Sequence, residues 1–398
     1  MAEMRQRARL AFASFQSALG QKSAALRHPR PDSGSLFAVA ARTSPSSSGE
    51  PRSSPSSGRL FGTKYELIRK LGEGGMGIVY HVVKPPRIQG VMKRMNPELA
   101  KHGEFVKMFL DEVSVLAQLE HPNIVRVYDF DRGDDGVPFY VMELLVGQNL
   151  RDVLDAKGVL PPHVAYEIAR QLLAALHVAH THEIAVVHRD VKPENIFLHT
   201  PKHGPPVVKL IDFGVVAFLD DKGSGHFSGT IRYAAPEQLQ AKRATPKSDI
   251  YAAALVLYEM LAGASPFEHR AHTDKTMVAA HLNEVPPHLA EVAPWIPRAV
   301  SDLVMSALAK SPDARPDATQ FCDRLAELGV VKNTGKEGSP WEARREEVLR
   351  NRSKPLATAV GAPSPIATPG RGLWREIALG LVTGGVALGA LHAVLSTR

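Results

Sequence analysis

Cysteine is almost missing from this chain. Among 398 residues only Cys322 carries a thiol, which excludes an intrachain disulfide and makes a reducing compartment the natural home. Its surroundings read as a small residue buried in a helix. The apolar runs of the N-terminal segment are too broken for a secretory signal, although its Arg-rich, acid-poor character is shared with transit peptides. Acid is scarce in the flanks. Residues 1 to 60 hold nine basic against three acidic side chains and residues 331 to 398 hold ten against five. The segment between them therefore carries −4, although the whole chain is +7 with a pI near 9.4. The high pI describes the flanks alone, so no nucleic-acid partner is implied. Basic tails can instead lie against anionic lipid headgroups, at about 1 kcal/mol per nearby Lys or Arg.

Two stretches are too rich in Ser, Pro and Gly to pack: residues 32 to 58, and a Pro-rich linker over roughly 332 to 372. Ahead of the first, residues 4 to 28 have the makings of a basic helix, with Leu10, Phe12, Phe15, Leu19 and Leu26 on an imperfect apolar side. After the second, Ile377 to Leu395 contain no Asp, Glu, Lys or Arg. A helix of that length rises about 28 Å, close to the hydrocarbon thickness of a bilayer. A single membrane helix over 373–395 is expected. Arg371 and Arg375 on one side, against Arg398 on the other, favour the main body on the cytoplasmic face. Gly380, Gly384, Gly385 and Gly389 form two small-xxx-small steps that could let two such helices associate.

The middle segment carries the chemistry. His188-Arg189-Asp190-Val191-Lys192-Pro193-Glu194-Asn195 sets a proton acceptor, a cation and a metal ligand at fixed spacing, the parts that phosphoryl transfer needs. Gly72-Glu73-Gly74-Gly75-Met76-Gly77-Ile78-Val79 follows a strand-like alternation over Tyr65 to Leu71 and leads into a second apolar strand. Glycine there lets backbone amides approach phosphate oxygens. A dinucleotide-binding loop would run into a helix and not a strand. Asp212-Phe213-Gly214 and Ala235-Pro236-Glu237 lie downstream, in order.

Together these motifs resemble eukaryotic-like (Hanks-type) Ser/Thr protein kinases over about residues 61 to 328, with a bacterial flavour in Gly-Glu-Gly-Gly-Met-Gly and in His121-Pro122-Asn123-Ile124-Val125. The resemblance implies an α+β, two-lobed fold: a small β-rich lobe and a larger helical one over 61–330. Outside that span the resemblance says nothing, and composition alone gives a basic Ser/Pro-rich tail over 1–60, a Pro-rich linker over 331–372 and the membrane helix over 373–395.

In that family the catalytic residues would be Asp190, which accepts or orients the substrate hydroxyl proton, Lys192, which neutralises the transferred phosphoryl, and Asn195. ATP would meet Leu71, Gly72, Gly74, Gly75, Gly77 and Val79 at the glycine loop. Lys93 would pair with the phosphates, Glu112 would orient that lysine, and the backbones of Glu143 and Leu145 would take adenine in the hinge behind Met142. Asn195 and Asp212 would hold Mg2+, with Mn2+ as an alternative. Glu237 would pair with Arg315, and Asp249 would hold the catalytic-loop backbone. Arg189 beside Asp190 marks a cation that a phosphate on the activation segment could meet, at Ser224 or Ser228. Thr230 is similar to the threonine that hydrogen-bonds near Asp190 and Lys192.

Three positions depart from the family pattern. Val91 stands where alanine is usual, Ala254 where glycine is usual, and the stretch from His180 to His188 is longer. The expected function is an ATP-dependent Ser/Thr protein kinase, held at a cell membrane with its catalytic domain cytoplasmic (the bacterial inner membrane, on the flavour of its motifs) and acting on protein substrates. The rival reading is a pseudokinase scaffold. It is disfavoured because Lys93, Asp190, Asn195 and Asp212 are all present.

Overall fold

A sheet buried most deeply along its central strands builds the first layer. In the computed structural model, which describes residues 60–61, 64–74, 77–183, 185–202, 206–213, 230–270, 273–328 and 340–353, six antiparallel strands form one sheet. They are β1 (Leu60–Phe61), β2 (Tyr65–Gly74), β3 (Gly77–Lys84), β4 (Ile88–Met95), β5 (Val127–Arg132) and β6 (Pro138–Glu143), in the order β1-β2-β3-β4-β6-β5. Between β4 and β5, Phe105, Phe109, Val113 and Leu116 recur at helical spacing. They turn one side of α1 (Gly103–Leu116) onto the sheet, where Phe109 and Val113 join Val79, Val91, Tyr140 and Met142 in a single apolar cluster.

A short second sheet, β7 (Gly147–Asn149), β8 (Ile196–His199) and β9 (Val207–Leu210), follows the first. The remainder is helical: α2 (Leu150–Lys157), α3 (Pro162–Thr181), α4 (Pro236–Leu239), α5 (Pro246–Ala262), α6 (Asp274–Asn283), α7 (Leu289–Val292), α8 (Arg298–Ala307), α9 (Ala318–Leu328) and α10 (Pro340–Ser353). Helix α5 has apolar residues all round and is buried from Ser248 to Ala262, the mark of a helix through the middle of a core. Pro246 opens it and Gly263, in the left-handed region at φ 82°, closes it. Asn123 joins the layers: its side chain donates to Gln171 Oε1 at 2.8 Å and Val208 O at 2.9 Å, and its carbonyl accepts from Leu210.

The architecture is thus the two-lobed one, a β-rich lobe followed by a helical lobe. Two readings change. Cys322 lies on α9 but is only partly buried, at the edge of the packing with α3, where its thiol reaches Arg170 O at 3.8 Å. The stretch 331–372 contains a 14-residue helix, α10, because Pro340 supplies a start and the ten residues after Trp341 include no glycine or proline to break a turn. The tail over 1–59, the membrane helix over 373–395 and residues Gly75, Ser224 and Ser228 lie outside the described residues. Among the described residues no helix is long and apolar enough to cross a membrane.

Candidate active site

The β2–β3 hairpin brings Gly72 opposite Val79 and Gly74 opposite Gly77. At Gly77 packing demands glycine, since a Cβ there would stand 2.1 Å from Arg94 O. Register then carries the site inward: Val79 pairs with Lys93 on β4, and Lys93 with Tyr140 on β6. Lys93 is 6% exposed. Its Nζ lies 2.9 Å from Asp212 Oδ1 and 3.8 Å from Glu112 Oε1. Burial pulls the ammonium pKa down, but the Asp212 and Glu112 carboxylates outweigh it and hold the pKa well above its ordinary value. Glu112 is opposite in character. Burial pushes its carboxyl up to about 7 against the pull of Lys93, and Oε1 has no hydrogen-bond partner.

The catalytic loop closes around Asp190. Lys192 Nζ lies 2.7 Å from Asp190 Oδ2 and donates to Thr230 Oγ1 at 2.9 Å. Asn195 Nδ2 donates to Asp190 Oδ2 at 3.0 Å and to Asp190 O at 2.9 Å. The Ile211 N–H donates to Asn195 O, which brings Asp212 next to this loop. Arg189 (φ 69°) and Asp212 (φ 51°) both occupy the left-handed region, a cost of order 1–3 kcal/mol each for residues with a Cβ. At Arg189 buried Asp249 offsets it by accepting the N–H of His188 and of Arg189, each at 2.8 Å. Gln238 donates to Arg189 O at 2.9 Å. Burial alone would raise Asp249, but His180, bonded to it at 2.8 Å, and His188 keep the carboxyl below its usual value.

The apolar walls converge on the same place. Leu71, Val79, Val91, Met142, Leu145 and Ile211 share one cluster between the strands and the catalytic loop. Val91, the departure from alanine, is buried in it. The Glu143 carboxylate accepts from the Arg126 N–H and from Lys209, and its own N–H donates to Arg126 O, so among its backbone groups the carbonyl is the candidate for a ligand. Glu237, the neighbour of Gln238, is committed to a structural ion pair. It takes a two-pronged contact from Arg315 at 2.7 and 2.8 Å while Ser248 donates to it at 2.6 Å.

A divalent ion fits the donors present. Asp212 and Asn195 offer hard oxygen, and no cluster of three or more His, Cys, Asp or Glu exists among the described residues. Mg2+ suits that set, because it takes one or two protein oxygens and completes its shell with phosphate and water.

Some residues escaped the sequence reading. His180, named there only as the start of a longer stretch, pairs with Asp249 across 69 positions. Tyr233, three residues beyond Thr230, forms a cluster with Arg151 and Glu259, with Arg151 Nη1 2.7 Å and Tyr233 Oη 2.6 Å from the Glu259 carboxylate. No local spacing announces either set.

Comparison with known proteins agrees with this geometry. A family model described as the protein kinase domain matches residues 65–325. The chain is 32% identical over 269 residues to the serine/threonine-protein kinase PrkC of Bacillus subtilis, covering 66% of this chain and 40% of that protein. It is 34% identical over 320 residues to the serine/threonine-protein kinase PknH of Mycobacterium tuberculosis, covering 78% and 47%. These curated relatives are therefore about twice the length of the portion matched. Among solved structures it is similar to the M. tuberculosis PknI kinase domain, with a TM-score of 0.54 and 29% identity, covering 70% of this chain and 100% of that one.

Proposed function

The chain belongs to the protein kinase family, and on that footing we propose that it transfers the γ-phosphate of ATP to Ser or Thr hydroxyls of proteins. One observation carries the reading: Lys192 and Asn195 both meet the Asp190 carboxylate while Lys93 meets Asp212. A proton acceptor, two cations and a metal-binding carboxylate thus share one cleft, and no member of the set is missing as it would be in a scaffold.

Asp190 receives the hydroxyl and orients it, Lys192 steadies the charge around Asp190, and Thr230 keeps Lys192 from swinging away. Lys93 reaches phosphate from its strand, and Leu71, Val79, Val91, Met142 and Leu145 take the flat base. When bound through Asp212 and Asn195, Mg2+ neutralises phosphate charge; positioning by the residues named does the rest. Asp190→Asn removes the acceptor at nearly constant volume and Lys93→Met removes the phosphate cation. Each should abolish incorporation of radiolabelled phosphate while leaving the circular dichroism spectrum intact, and near-normal labelling by either variant refutes the assignment.

The finer readings rest on sequence. The span over 373–395 anchors the enzyme with its catalytic domain on the cytoplasmic side, and its glycines let two copies associate. Autophosphorylation at Ser224 or Ser228 raises activity by ordering the activation segment near Arg189. A Ser224→Ala, Ser228→Ala variant with undiminished activity would remove that mechanism.

A further inference from the structure

Helix α10 lies where composition suggested only a linker, and one side of it is partly buried. Trp341, Arg344, Arg345, Val348 and Leu349 are partly buried, whereas Glu346, Glu347 and Arg350 face solvent, the three-and-four spacing of a docked helix. What it docks against is specific. Arg345 Nε donates to Lys157 O, the last carbonyl of α2, at 3.2 Å, and Arg344 Nε to Ala262 O, the last carbonyl of α5, at 3.4 Å. Guanidinium groups at two helix C-termini meet both the unsatisfied carbonyls and the negative end of the dipole. Between them sits Val348. A Cβ on Gly158 would come within 3.2 Å of Val348 Cγ1, and one on Gly263 within 2.8 Å of Val348 Cγ2. The residue thus fills the notch left by two left-handed glycines.

The same two helices are tied to the Tyr233 segment and to the catalytic loop. Helix α2 starts at Leu150, directly behind β7, and is capped there by Asn149, which accepts the Asp152 N–H at 2.8 Å. Its Arg151 is fastened to Glu259 of α5, and Glu259 to Tyr233. Tyr233 follows Thr230, the partner of Lys192. At the other end of α5, Asp249 holds the catalytic loop. A clamp on the C-terminal ends of α2 and α5 therefore fixes the spacing at which Arg151 and Glu259 hold Tyr233.

We propose that α10 is a strap belonging to the catalytic unit, and that Arg344, Arg345 and Val348 are positioning residues which keep α2 in register with α5 and so keep the Tyr233 segment set for the incoming protein substrate. The structural half stands alone; the kinetic half rests on the kinase reading.

The test uses the full-length chain with Val348→Asp, and the Arg344→Ala, Arg345→Ala double variant as a second route that removes no buried apolar side chain should the first fail to fold. Hydrogen–deuterium exchange over residues 154–159 and 260–264 should speed up about tenfold in both, with exchange in β3 and β4 unchanged. KM for a protein substrate should rise about fivefold while kcat stays within about twofold, and Val348→Ile should restore the wild-type values. Unchanged exchange at those two helix ends overturns the docking. Faster exchange with an unaltered KM overturns the positioning role. A wild-type chain that labels no protein substrate sinks the kinase reading, and the exchange arm still decides the strap.

Discussion

Lys93 sits between two carboxylates of unequal standing, 2.9 Å from Asp212 and 3.8 Å from Glu112. Because the folded chain holds the Glu112 proton up to about 7, against 4.5 for an ordinary glutamate, the folded state binds more protons than the unfolded one in between. Stability should therefore fall as pH rises through that window and level off above it. Urea midpoints from pH 5 to 8 should show this slope, and Glu112→Gln should flatten it. Ionised Glu112 also draws Lys93 from Asp212, so the apparent affinity for magnesium ATP should increase across the same window and lose that dependence in the variant. Arg315 is the other decisive residue. It is fully buried, and five donations to Glu237, Ala309 O, Lys247 O and Lys310 O hold it. Arg315→Leu should cost about 3–5 kcal/mol in equilibrium unfolding, because it strands the Glu237 charge in the core. A loss under 1 kcal/mol would contradict that role.

At the level of elements, the glycine-loop strands β2 and β3 and helix α1 follow from pattern, whereas α5 owes its place to burial on every side. Its Ala254, 0% exposed, replaces a glycine that is usual in the family. Ala254→Gly should lower stability by about 1 kcal/mol through helix propensity, read as a drop in thermal midpoint. In the β2–β3 hairpin the balance is reversed. Gly77→Ala must push its methyl into Arg94 O, 2.1 Å away, so the pairing of β3 with β4 has to open. Both Lys93 reactivity and the thermal midpoint should suffer, and a variant with wild-type values would show that the hairpin yields without cost. Helix α10 was invisible to composition. Its flanking prolines and basic residues read as linker, and only the carbonyls of Lys157 and Ala262 give Arg345 and Arg344 something to bind.

For the whole molecule, charge separates the parts: an acidic catalytic segment lies between two basic flanks. Deleting residues 373–398 should move the protein from the membrane pellet to the soluble fraction without loss of kinase activity, since the apolar segment follows the matched kinase domain in sequence and contributes none of the candidate site residues. Full-length protein that stays soluble without detergent would refute the anchor. The linear chain carried the catalytic string from His188 to Asn195 and the order of motifs, and through the family these resemble it carried the β-rich then helical layout and the candidate roles of Lys93, Asp190 and Asp212. The motifs depend on residue type and short spacing, which the linear chain holds in full, and the layout follows from the family that those motifs resemble. Tertiary structure alone decided which carboxylate Lys93 prefers, that His180 joins Asp249, that Arg151 and Tyr233 meet on Glu259, and that α10 closes the ends of two helices. Each depends on groups far apart in the chain whose distances are set by packing, and local sequence carries no record of them.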